Sequence, residues 1–429
     1  MSHKPLKVLI IGAGTGGLCL AQGLRRAGVA VEVFERDASA RQQRQGYRLS
    51  ISATGGRAMK ACLPAALFDK LTRSTAQPST AVTFVDHRLN RLLAIDLPHH
   101  DRDSLDAERP VSRAVLRRIL LEGLDDIVHF GKKFVTFDDT PAGGVTARFE
   151  DGSSAVGDVL VGADGASSQV RSLLLPDAKR EDTGLLGIGG KLALTDKVRA
   201  ATPPAITRGP TPILGPRGSF MFASTVQYGD LNAPVGRADV AGSSDGMKEE
   251  REEYVMWGFT ARREKLALAK DAEALSGAEL KDAVEALIGD WHADLKRLIA
   301  WTDPVNVRAF SVKTSVPVAP WRTRNVTLLG DALHNMPPFR GVGANTALWD
   351  AAKLREALIA VDQGERDLLE ALADYEKAMI DHGFRAVRTS LRDMTRFHAE
   401  GLIARSMTKA FFRTLDRVPA LRSLVVQGR

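Results

Sequence analysis

The chain has 429 residues, 44% of them hydrophobic, and a formal net charge of +7. This length predicts two or three domains with substantial cores, and no apolar stretch is long and uncharged enough to predict a membrane-spanning helix. The two cysteines, Cys19 and Cys62, stand outside any metal-ligand or redox motif. We therefore expect small buried thiols in a soluble, cytoplasmic protein.

Much of the basic excess lies near the C-terminus, in residues 401–429. A basic chain can bind nucleic acid or an acidic membrane surface, but no zinc-finger spacing, aromatic RNA-binding pattern or helix-turn-helix signal accompanies this charge. We interpret the segment as the solvated face of a C-terminal helical tail and predict neither a nucleic-acid partner nor membrane insertion. The single acidic residue of this segment is Asp416, and its basic residues are Arg405, Lys409, Arg413, Arg417, Arg422 and Arg429.

The first motif along the chain is GAGTGG at residues 12–17. It follows an apolar, strand-like run at 8–11 and precedes a helix-like run that begins at Leu18, and Glu35 ends a second strand-like run. Strand, tight turn, helix and strand with a terminal acid together form the dinucleotide-binding fingerprint. We therefore predict a nucleotide site in residues 1–75, where strand-like and helix-like patterns alternate as in a doubly wound domain.

Each residue type in the fingerprint has a physical role. Gly12 lets the chain turn, Gly14 lets the backbone approach a pyrophosphate, and Gly17 lets the helix pack against the sheet. The start of the helix offers unpaired N–H groups and partial positive charge to the phosphates. The Glu35 carboxylate can accept hydrogen bonds from both ribose hydroxyls.

The next part of the chain mixes strands with one helix. Residues 111–124 predict an amphipathic helix with Ser112 as its N-cap. Asp151 and Gly152 predict a tight turn between two strands. The strand-like runs before residue 183 are 81–85, 92–95, 145–149 and 156–161.

Residues 183–262 have a different composition. Pro/Gly-rich loops at 203–218 and 229–247 separate the strand-like runs 185–194, 219–227 and 254–261. This pattern predicts a mostly antiparallel sheet inserted into the nucleotide-binding domain. The later predicted elements are a helical segment at 275–300, a strand at 326–329 and, from 346 onward, helices that include a long one at 367–398.

Two later segments place Asp and Gly at the end of a predicted strand. The first is VGADGASSQVR at residues 161–171, the DG segment, and the second is GDALHNMPPFRGVGAN at residues 330–345, the GD segment. Ligands of open α/β sheets bind at strand ends of this kind. The glycines of the GD segment also precede a predicted helix start, which suits an electron-rich ring or a phosphate.

The three motifs, in this order, resemble those of the group A flavoprotein monooxygenases, the family of p-hydroxybenzoate hydroxylase. Among these, the pattern is most similar to the tetracycline- and aromatic-polyketide-modifying hydroxylases, and the resemblance extends from Val8 to the C-terminal helices. It implies an α/β fold, with a Rossmann-like FAD-binding domain, an inserted, mostly antiparallel β-sheet substrate domain and C-terminal helices. It also implies bound FAD, NAD(P)H and O₂ as co-substrates, and hydroxylation of an aromatic or polycyclic small molecule through a flavin C4a-hydroperoxide.

The resemblance also implies roles for single residues. Arg113 would lie near the FAD pyrophosphate, the Asp164 segment would contact both FAD and NAD(P)H, and Asp331 would bind the ribityl chain. The glycine fingerprint and Glu35 would hold the ADP half, and the end of the GD segment would lie beside the isoalloxazine. The implied cofactor-binding residues are Gly12, Gly14, Gly17, Glu35, Arg36, Arg113, Asp164, Asp331, Pro338, Gly341, Gly343, Ala344 and Asn345.

The chain departs from the family pattern at two places. The family usually has Gly-Gln-Gly where this chain has Gly341-Val342-Gly343, so backbone contacts survive and a side-chain contact is lost. A small residue usually stands where this chain has Arg340, which either brings positive charge to the flavin or an acidic substrate, or points to solvent. Arg48, in a segment that resembles a flavin-side element, is the other candidate for a direct role. No acid–base residue and no metal site are predicted.

The domain boundaries follow from the pattern and the resemblance together. We predict an FAD-binding domain in 1–75, 108–182 and 301–365, a substrate-binding domain in 76–107 and 183–300, and a C-terminal helical region in 366–429.

Several local patterns are interpreted as unrelated to catalysis. Residues 187–190 (GIGG) are too short and wrongly placed for a second Rossmann fingerprint, and GSSDG at 242–246 is a chance match to the nucleophile elbow of hydrolases. The adjacent His99 and His100 are expected to be surface residues. His334, within the GD segment, is expected to brace a turn.

Other functions stay open on the sequence alone. The same fold could perform epoxidation, Baeyer–Villiger insertion or N-oxidation, or the chain could be a redox-neutral FAD-binding protein. The expected partner is a small-molecule substrate, and the choice between NADH and NADPH and between monomer and homodimer stays open.

Overall fold

The computed structural model describes residues 5–40, 48–140, 143–228, 252–268 and 271–418. The chain forms two compact units. The first unit comprises 1–75, 102–181 and 313–391, and the second comprises 76–101, 182–312 and 392–429. The assignment of FAD to one unit and substrate to the other stays a prediction, as do the boundaries proposed from the sequence.

The first unit is built on a parallel sheet of five strands in the order β17-β11-β1-β2-β7. The central strands are buried on both faces, which explains their continuous apolar sequences. The strands are β1 (Lys7–Ile11), β2 (Ala30–Glu35), β7 (Val128–Phe130), β11 (Val159–Gly162) and β17 (Val326–Leu328).

Smaller antiparallel sheets complete the strands of the first unit. One pairs β3 (Arg48–Ile51) with β6 (Arg109–Ser112). The other has the order β10-β9-β8, and the turn predicted at Asp151 and Gly152 lies between its strands. These strands are β8 (Phe134–Asp139), β9 (Val145–Phe149) and β10 (Ser154–Gly157).

Eight helices of the described chain belong to the first unit wholly or, for the last of them, mostly. Ser112 occupies the N-cap position of the predicted amphipathic helix, but its side chain makes no capping hydrogen bond. The long predicted helix at 367–398 is confirmed as the element 368–397. The helices are α1 (Thr15–Arg26), α2 (Ala53–Cys62), α3 (Ala65–Arg73), α4 (Arg113–Leu121), α5 (Gln169–Leu174), α10 (Asp331–His334), α11 (Gly343–Asp362) and α12 (Leu368–Phe397).

The two thiols lie in the core of this unit. Cys19 and Cys62 are both buried and free, as the sequence predicts. A hydrogen bond with Cys62, together with burial, raises the pKa of the Cys19 thiol well above its ordinary value.

The second unit is built on a sheet of seven strands in the order β16-β12-β15-β14-β13-β4-β5. The pairs β12–β15, β15–β14, β14–β13 and β4–β5 are antiparallel and the pair β13–β4 is parallel, so the predicted mostly antiparallel sheet is confirmed. The strands are β4 (Ala81–Asp86), β5 (Arg91–Asp96), β12 (Arg180–Ala193), β13 (Thr211–Leu214), β14 (Phe220–Val226), β15 (Tyr254–Arg262) and β16 (Arg308–Ser315).

Helices flank this second sheet. They are α6 (Asp196–Ala201), α7 (Pro204–Arg208), α8 (Gly277–Leu287), α9 (Ala293–Ala300) and α13 (Leu402–Arg417). Within the described residues, none of the helices in either unit combines the length and apolar character that crossing a bilayer requires.

The loop predicted at 203–218 is wrong over most of its length. It contains the short helix α7 and the buried strand β13, which lies between β14 and β4 in the sheet. The prolines of this segment suggest a loop when they are considered locally. In β13, pairing with the neighbouring strands β14 and β4 overrides this local preference. In α7, Pro204 occupies the first helical turn, where the missing N–H of proline costs nothing.

The glycines at 187–190 belong to the interior of β12 and not to a nucleotide-binding turn. A Cβ atom at Gly187 would come within 2.2 Å of the Phe310 ring. The glycine therefore makes room for an aromatic side chain on the neighbouring strand β16. The pattern GSSDG at 242–246 lies outside the described residues.

One buried hydrogen bond anchors the core of the second unit. The indole of Trp257 is buried, and its Nε1–H donates to Thr302 Oγ1 at 2.9 Å. The same hydroxyl donates to the Leu298 carbonyl at 2.6 Å. The hydroxyl of Thr302 thus satisfies a donor that burial separates from water.

We predict that Thr302→Val destabilises the second unit by about 1–3 kcal/mol, because it leaves the buried indole N–H without an acceptor at nearly constant side-chain volume. Urea denaturation followed by tryptophan fluorescence measures this loss. Thr302→Ser keeps the hydroxyl and is the control. Destabilisation by Thr302→Ser without destabilisation by Thr302→Val would show that the methyl group, and not the hydrogen bond, matters at this position.

Candidate functional site

Three sequence-distant turns meet at the carboxyl edge of the parallel sheet. A Cβ atom at Gly12 would lie 2.4 Å from the Ala163 carbonyl oxygen, so the turn after β1 touches the turn after β11. The Leu329 N–H donates to the Gly162 carbonyl at 2.9 Å, and a Cβ at Gly16 would meet the Leu329 side chain. The GAGTGG motif, the DG segment and the GD segment therefore form one continuous surface.

The three fingerprint glycines have different geometries. Gly12 has a positive φ of 109°, which only glycine adopts readily. A Cβ at Gly17 would lie 2.2 Å from the Gly12 carbonyl oxygen, so this glycine lets α1 pack closely on the turn. A Cβ at Gly14 would meet no atom within 4 Å, so the backbone there faces open space. This geometry leaves room for a ligand against Gly14.

Glu35 is buried at the end of β2, where the sequence predicts a ribose-binding acid. Its Oε2 accepts from the Ala13 N–H at 2.8 Å, and its Oε1 accepts from the Asp37 N–H at 2.9 Å. These bonds fix the carboxylate beside the glycine turn. Arg117 of α4 lies near both acids, with Nη1 3.3 Å from Asp37 Oδ2 and Nη2 3.9 Å from Glu35 Oε2.

The DG segment forms a tight turn around Asp164. Its Oδ2 accepts from the N–H groups of Gln169 and Val170 at the start of α5, at 2.7 and 3.2 Å. Its Oδ1 is buried and accepts no hydrogen bond from any described residue. Burial raises the pKa of this carboxyl, although its hydrogen bonds oppose the rise. A carboxylate oxygen without a hydrogen-bond donor is available to accept from a ligand hydroxyl or amide.

Arg171 joins the DG segment to the GD segment. Its Nη1 donates to the Ala166 carbonyl at 3.1 Å and to the Ala332 carbonyl at 2.8 Å. Burial lowers the pKa of this guanidinium. The side chain is therefore a cross-link between two turns that are distant in sequence.

Asp331 begins α10 and is exposed to solvent. A Cβ at Gly343 would lie 3.9 Å from Asp331 Oδ1, so the carboxylate stands beside the start of α11. Arg113 is also exposed to solvent, yet surrounding protein desolvates its guanidinium and lowers the pKa, against an opposing effect of Asp331. Exposure combined with desolvation is expected for the wall of a cleft.

Arg180 provides a second cation near Asp331. Its Nη2 donates at 2.9 Å to Oδ1 of Asn335, the residue that follows α10. Burial lowers the pKa of Arg180 and Asp331 raises it. Two arginines thus act on the same carboxylate, which gives this end of the site a positive balance suited to an anionic ligand.

A buried ion pair supports the GD segment from behind. His334 Nε2 lies 2.6 Å from Asp350 Oδ2, and both side chains are completely buried. The same carboxylate oxygen accepts from the Gly330 N–H at 2.9 Å. Burial disfavours the charged imidazole, but Asp350 outweighs burial and raises the pKa of His334. His334 therefore braces the turn, as the sequence predicts.

The start of α11 is tied to β3. The Asn345 side chain accepts from the Ser52 N–H at 2.8 Å and donates to the Ser50 carbonyl at 2.9 Å. Because its amide is used in these bonds, Asn345 can offer a cofactor only its backbone. Gly341 has a positive φ of 64° and, like Pro338, is exposed. Ala344 lies half-buried in the first turn of the helix.

The other predicted residues have less informative surroundings. Arg36 is exposed directly after β2. Arg48 begins β3 and Arg340 ends a short 3₁₀ turn, and both are half-buried and engaged with other groups. Of the segment that includes Arg48, residues 46 and 47 lie outside the described part of the chain.

Sequence reasoning missed four residues of this site. Arg117 lies in the helix α4 and Arg180 at the start of the strand β12, and neither belongs to a local motif. Asp350 lies in the interior of the helix α11. Arg171 ends the DG segment, where an arginine after a buried valine could have indicated a structural role. Only the tertiary structure shows which carbonyls and acids these side chains meet.

Comparisons with known proteins agree with this geometry. The model of the FAD binding domain family matches residues 5–390. The dual O-methyltransferase/FAD-dependent monooxygenase elcB of Phaeosphaeria nodorum is 33% identical over 96% of this chain and 47% of its own length. The chain thus spans about half the length of the first curated relatives that it matches.

Solved structures share the fold. The crystal structure of a protein described as an FAD-containing monooxygenase from Photorhabdus luminescens has a TM-score of 0.80 and 32% identity, covering 92% of this chain and 98% of that one. Klebsiella pneumoniae HpxO, in complex with FAD and uric acid, has a TM-score of 0.75 and 22% identity, covering 95% and 93% of the two chains. At this identity HpxO shows the fold alone.

The fold and the three turns define a flavoprotein, with FAD as its cofactor. The chain belongs to the FAD binding domain family, which corresponds to the group A flavin monooxygenases that the sequence motifs resemble.

We predict that Asp350→Asn costs about 3–5 kcal/mol of unfolding free energy, because it leaves a buried imidazolium without its counter-ion. Because the pKa of His334 is raised in the folded state, the His334–Asp350 pair stabilises the folded protein fully below about pH 6.5. This stabilisation is lost as the pH rises through the folded-state pKa of His334. The difference between wild type and variant should therefore shrink at higher pH. Urea denaturation across a pH series measures it.

Asp374→Asn is the matched control for this change. Asp374 belongs to the same unit, and its exposed carboxylate lies 2.7 Å from Arg366 Nη2. A surface pair of this kind contributes about 0–1 kcal/mol. Equal losses in the two variants, or a loss in Asp350→Asn that is independent of pH, would contradict the buried-pair account.

Proposed function

We propose that this chain is an NAD(P)H-dependent FAD monooxygenase that hydroxylates an aromatic or polycyclic small molecule. The observation that carries the proposal is the place of the GD segment. An ADP site needs only the glycine turn and Glu35, yet Asp331 and the start of α11 adjoin the same sheet edge. Family membership and relatives named FAD-dependent monooxygenases support the same function.

The residues present fit FAD. Open space at Gly14 suits a pyrophosphate, and the unpaired Oδ1 of Asp164 suits a ligand donor. Arg113 would supply positive charge to the phosphates, and Glu35 would accept from the ribose hydroxyls. Asp331 would accept from the ribityl hydroxyls.

Bound FAD supplies the redox chemistry, in which electrons from NAD(P)H reduce O₂ so that one oxygen atom enters the substrate and the other becomes water. The task of this chain is binding, orientation and electrostatics. The first N–H groups of α11, at Gly343 and Ala344, have no partner within their helix and favour negative charge nearby. Arg48 and Arg340 are the candidate side chains for a direct role toward the flavin or an acidic substrate.

We expect the flavin of the purified protein to be reduced by NADPH or NADH without oxygen, and faster when the true substrate is present. Stopped-flow absorbance with a panel of phenolic and polycyclic aromatic compounds measures this rate. Under air with isotopically labelled O₂, the product should gain one labelled oxygen atom, and its structure separates hydroxylation from epoxidation, Baeyer–Villiger insertion and N-oxidation.

The control is the same protein stripped of flavin, which should neither oxidise NAD(P)H nor form product. A fully flavin-loaded protein that neither nicotinamide reduces with any compound would contradict the monooxygenase and favour a redox-neutral role for the cofactor.

A further inference from the structure

Glu376 is a buried carboxyl of the first unit that belongs to none of the three motifs. It lies in α12 and is only 3% exposed. The Thr323 hydroxyl donates to its Oε2 at 2.6 Å. Among the described residues, none forms an ion pair with this carboxyl. Such a group is tolerated in a protein interior when it is neutral and is costly when it is ionised.

The second oxygen of this carboxyl has no hydrogen bond. Glu376 Oε1, Thr327 Oγ1 and Trp321 Nε1 are all buried, and none of them forms a hydrogen bond with any described residue. Burial raises the pKa of Glu376 to about 7, although the neighbouring side chains of Thr323, Thr327 and Trp321 oppose the rise. Near neutral pH the carboxyl is therefore divided between its neutral and ionised forms.

The charged groups on the elements around Glu376 are exposed to solvent or engaged with other partners. Strand β17 carries no titratable residue. Tyr375, the neighbour of Glu376 in α12, is buried, and burial raises the pKa of its hydroxyl well above the ordinary value, so it stays neutral. The other titratable residues on α12, on α10 and α11 and in the segment before β17 are Asp374, Lys377, His382, His334, Asp350, Arg322 and Arg324.

Glu376 lies where α12 contacts the strand that leads into the GD segment. The Tyr375 hydroxyl donates to the Leu328 carbonyl of β17 at 2.9 Å, and Thr327 of the same strand lies beside the Glu376 carboxyl. The GD segment begins two residues after this strand, at Gly330. A negative charge on Glu376 would therefore be placed in the contact between α12 and β17.

We propose that Glu376 is a pH-responsive latch between α12 and β17. The neutral carboxyl lets the helix pack closely on the strand, and ionisation places an unpaired charge in this contact and loosens it. The latch is a property of the folded first unit. It goes beyond the proposed oxygenase function and does not depend on it.

Urea denaturation of the full chain from about pH 5 to about pH 8.5 tests the proposal in wild type and in Glu376→Gln. Because the folded-state pKa of Glu376 is raised from 4.5 to about 7, its stabilising effect is complete below pH 4.5 and is lost as the pH rises through about 7. Across the tested range, the unfolding equilibrium constant of wild type should rise on the order of a hundredfold relative to that of Glu376→Gln. Other titrating groups, including the His334–Asp350 pair, are present in both proteins and cancel in this comparison.

Glu370→Gln is the matched control. Glu370 is exposed on the same helix, so this variant removes the same charge outside the buried contact and should keep the pH dependence of wild type. Thr323→Val removes the donor that favours the ionised form of Glu376. It should therefore move the loss of stability to higher pH.

Hydrogen exchange followed by mass spectrometry measures the loosening itself. At about pH 8.5, peptides from β17 and the first half of α12 should exchange faster in wild type than in Glu376→Gln, and at about pH 5 the two proteins should match. Comparison at equal pH removes the intrinsic pH dependence of exchange. Peptides from β14 and β15 of the second unit are the internal reference.

An unfolding equilibrium whose pH dependence is the same in wild type and Glu376→Gln would overturn the proposal. Equal exchange of the β17 and α12 peptides in the two proteins at both pH values would also overturn it. If Glu376→Gln does not fold, a stability profile of Thr323→Val that coincides with that of wild type at every pH would refute the latch.

Discussion

The candidate site depends on the parallel register of β1, β11 and β17. Because these strands run in the same direction, their carboxyl ends meet at one edge of the sheet, and the turns that follow them are forced together. The contact is close enough that a single Cβ at Gly12 would collide with the Ala163 carbonyl. Glycine at this position is therefore a consequence of strand packing as much as of ligand binding.

Electrostatics then determine how these turns are held. The buried His334–Asp350 pair holds the GD segment in place. Arg171 also holds it, because its guanidinium donates to a carbonyl of the DG segment and to a carbonyl of the GD segment. Arg113 and Arg180 act on Asp331 at the solvent side. Buried charge is thus compensated inside the protein, while positive charge remains at the edge where the phosphates of FAD are expected to bind.

Much of this arrangement could be predicted from the sequence. The fingerprint at 12–17, Glu35 at a strand end, the antiparallel insert and the long helix 368–397 all follow from local periodicity and spacing. These features depend on patterns within a few turns of chain. They are therefore visible without knowledge of the tertiary structure.

The features that sequence reasoning missed depend on contacts between distant segments. Strand β13 has a proline-rich sequence and is defined by its neighbours β14 and β4. Asp350 has no motif of its own, and it acquires its role only when α11 packs behind the GD turn. Asn345 stays a predicted cofactor-binding residue, and its side-chain amide joins α11 to β3, a contact that no local pattern encodes.

The central claim is that one end of this site holds the ADP half of FAD and the GD segment holds the flavin half. Calorimetric titration of flavin-free protein with ADP, FMN and FAD tests it most directly, in wild type and in the variants Glu35→Gln and Asp331→Ala. The account predicts that Glu35→Gln weakens ADP and FAD but spares FMN, whereas Asp331→Ala weakens FMN and FAD but spares ADP. Loss of ADP binding in Asp331→Ala, or unchanged ADP binding in Glu35→Gln, would contradict it.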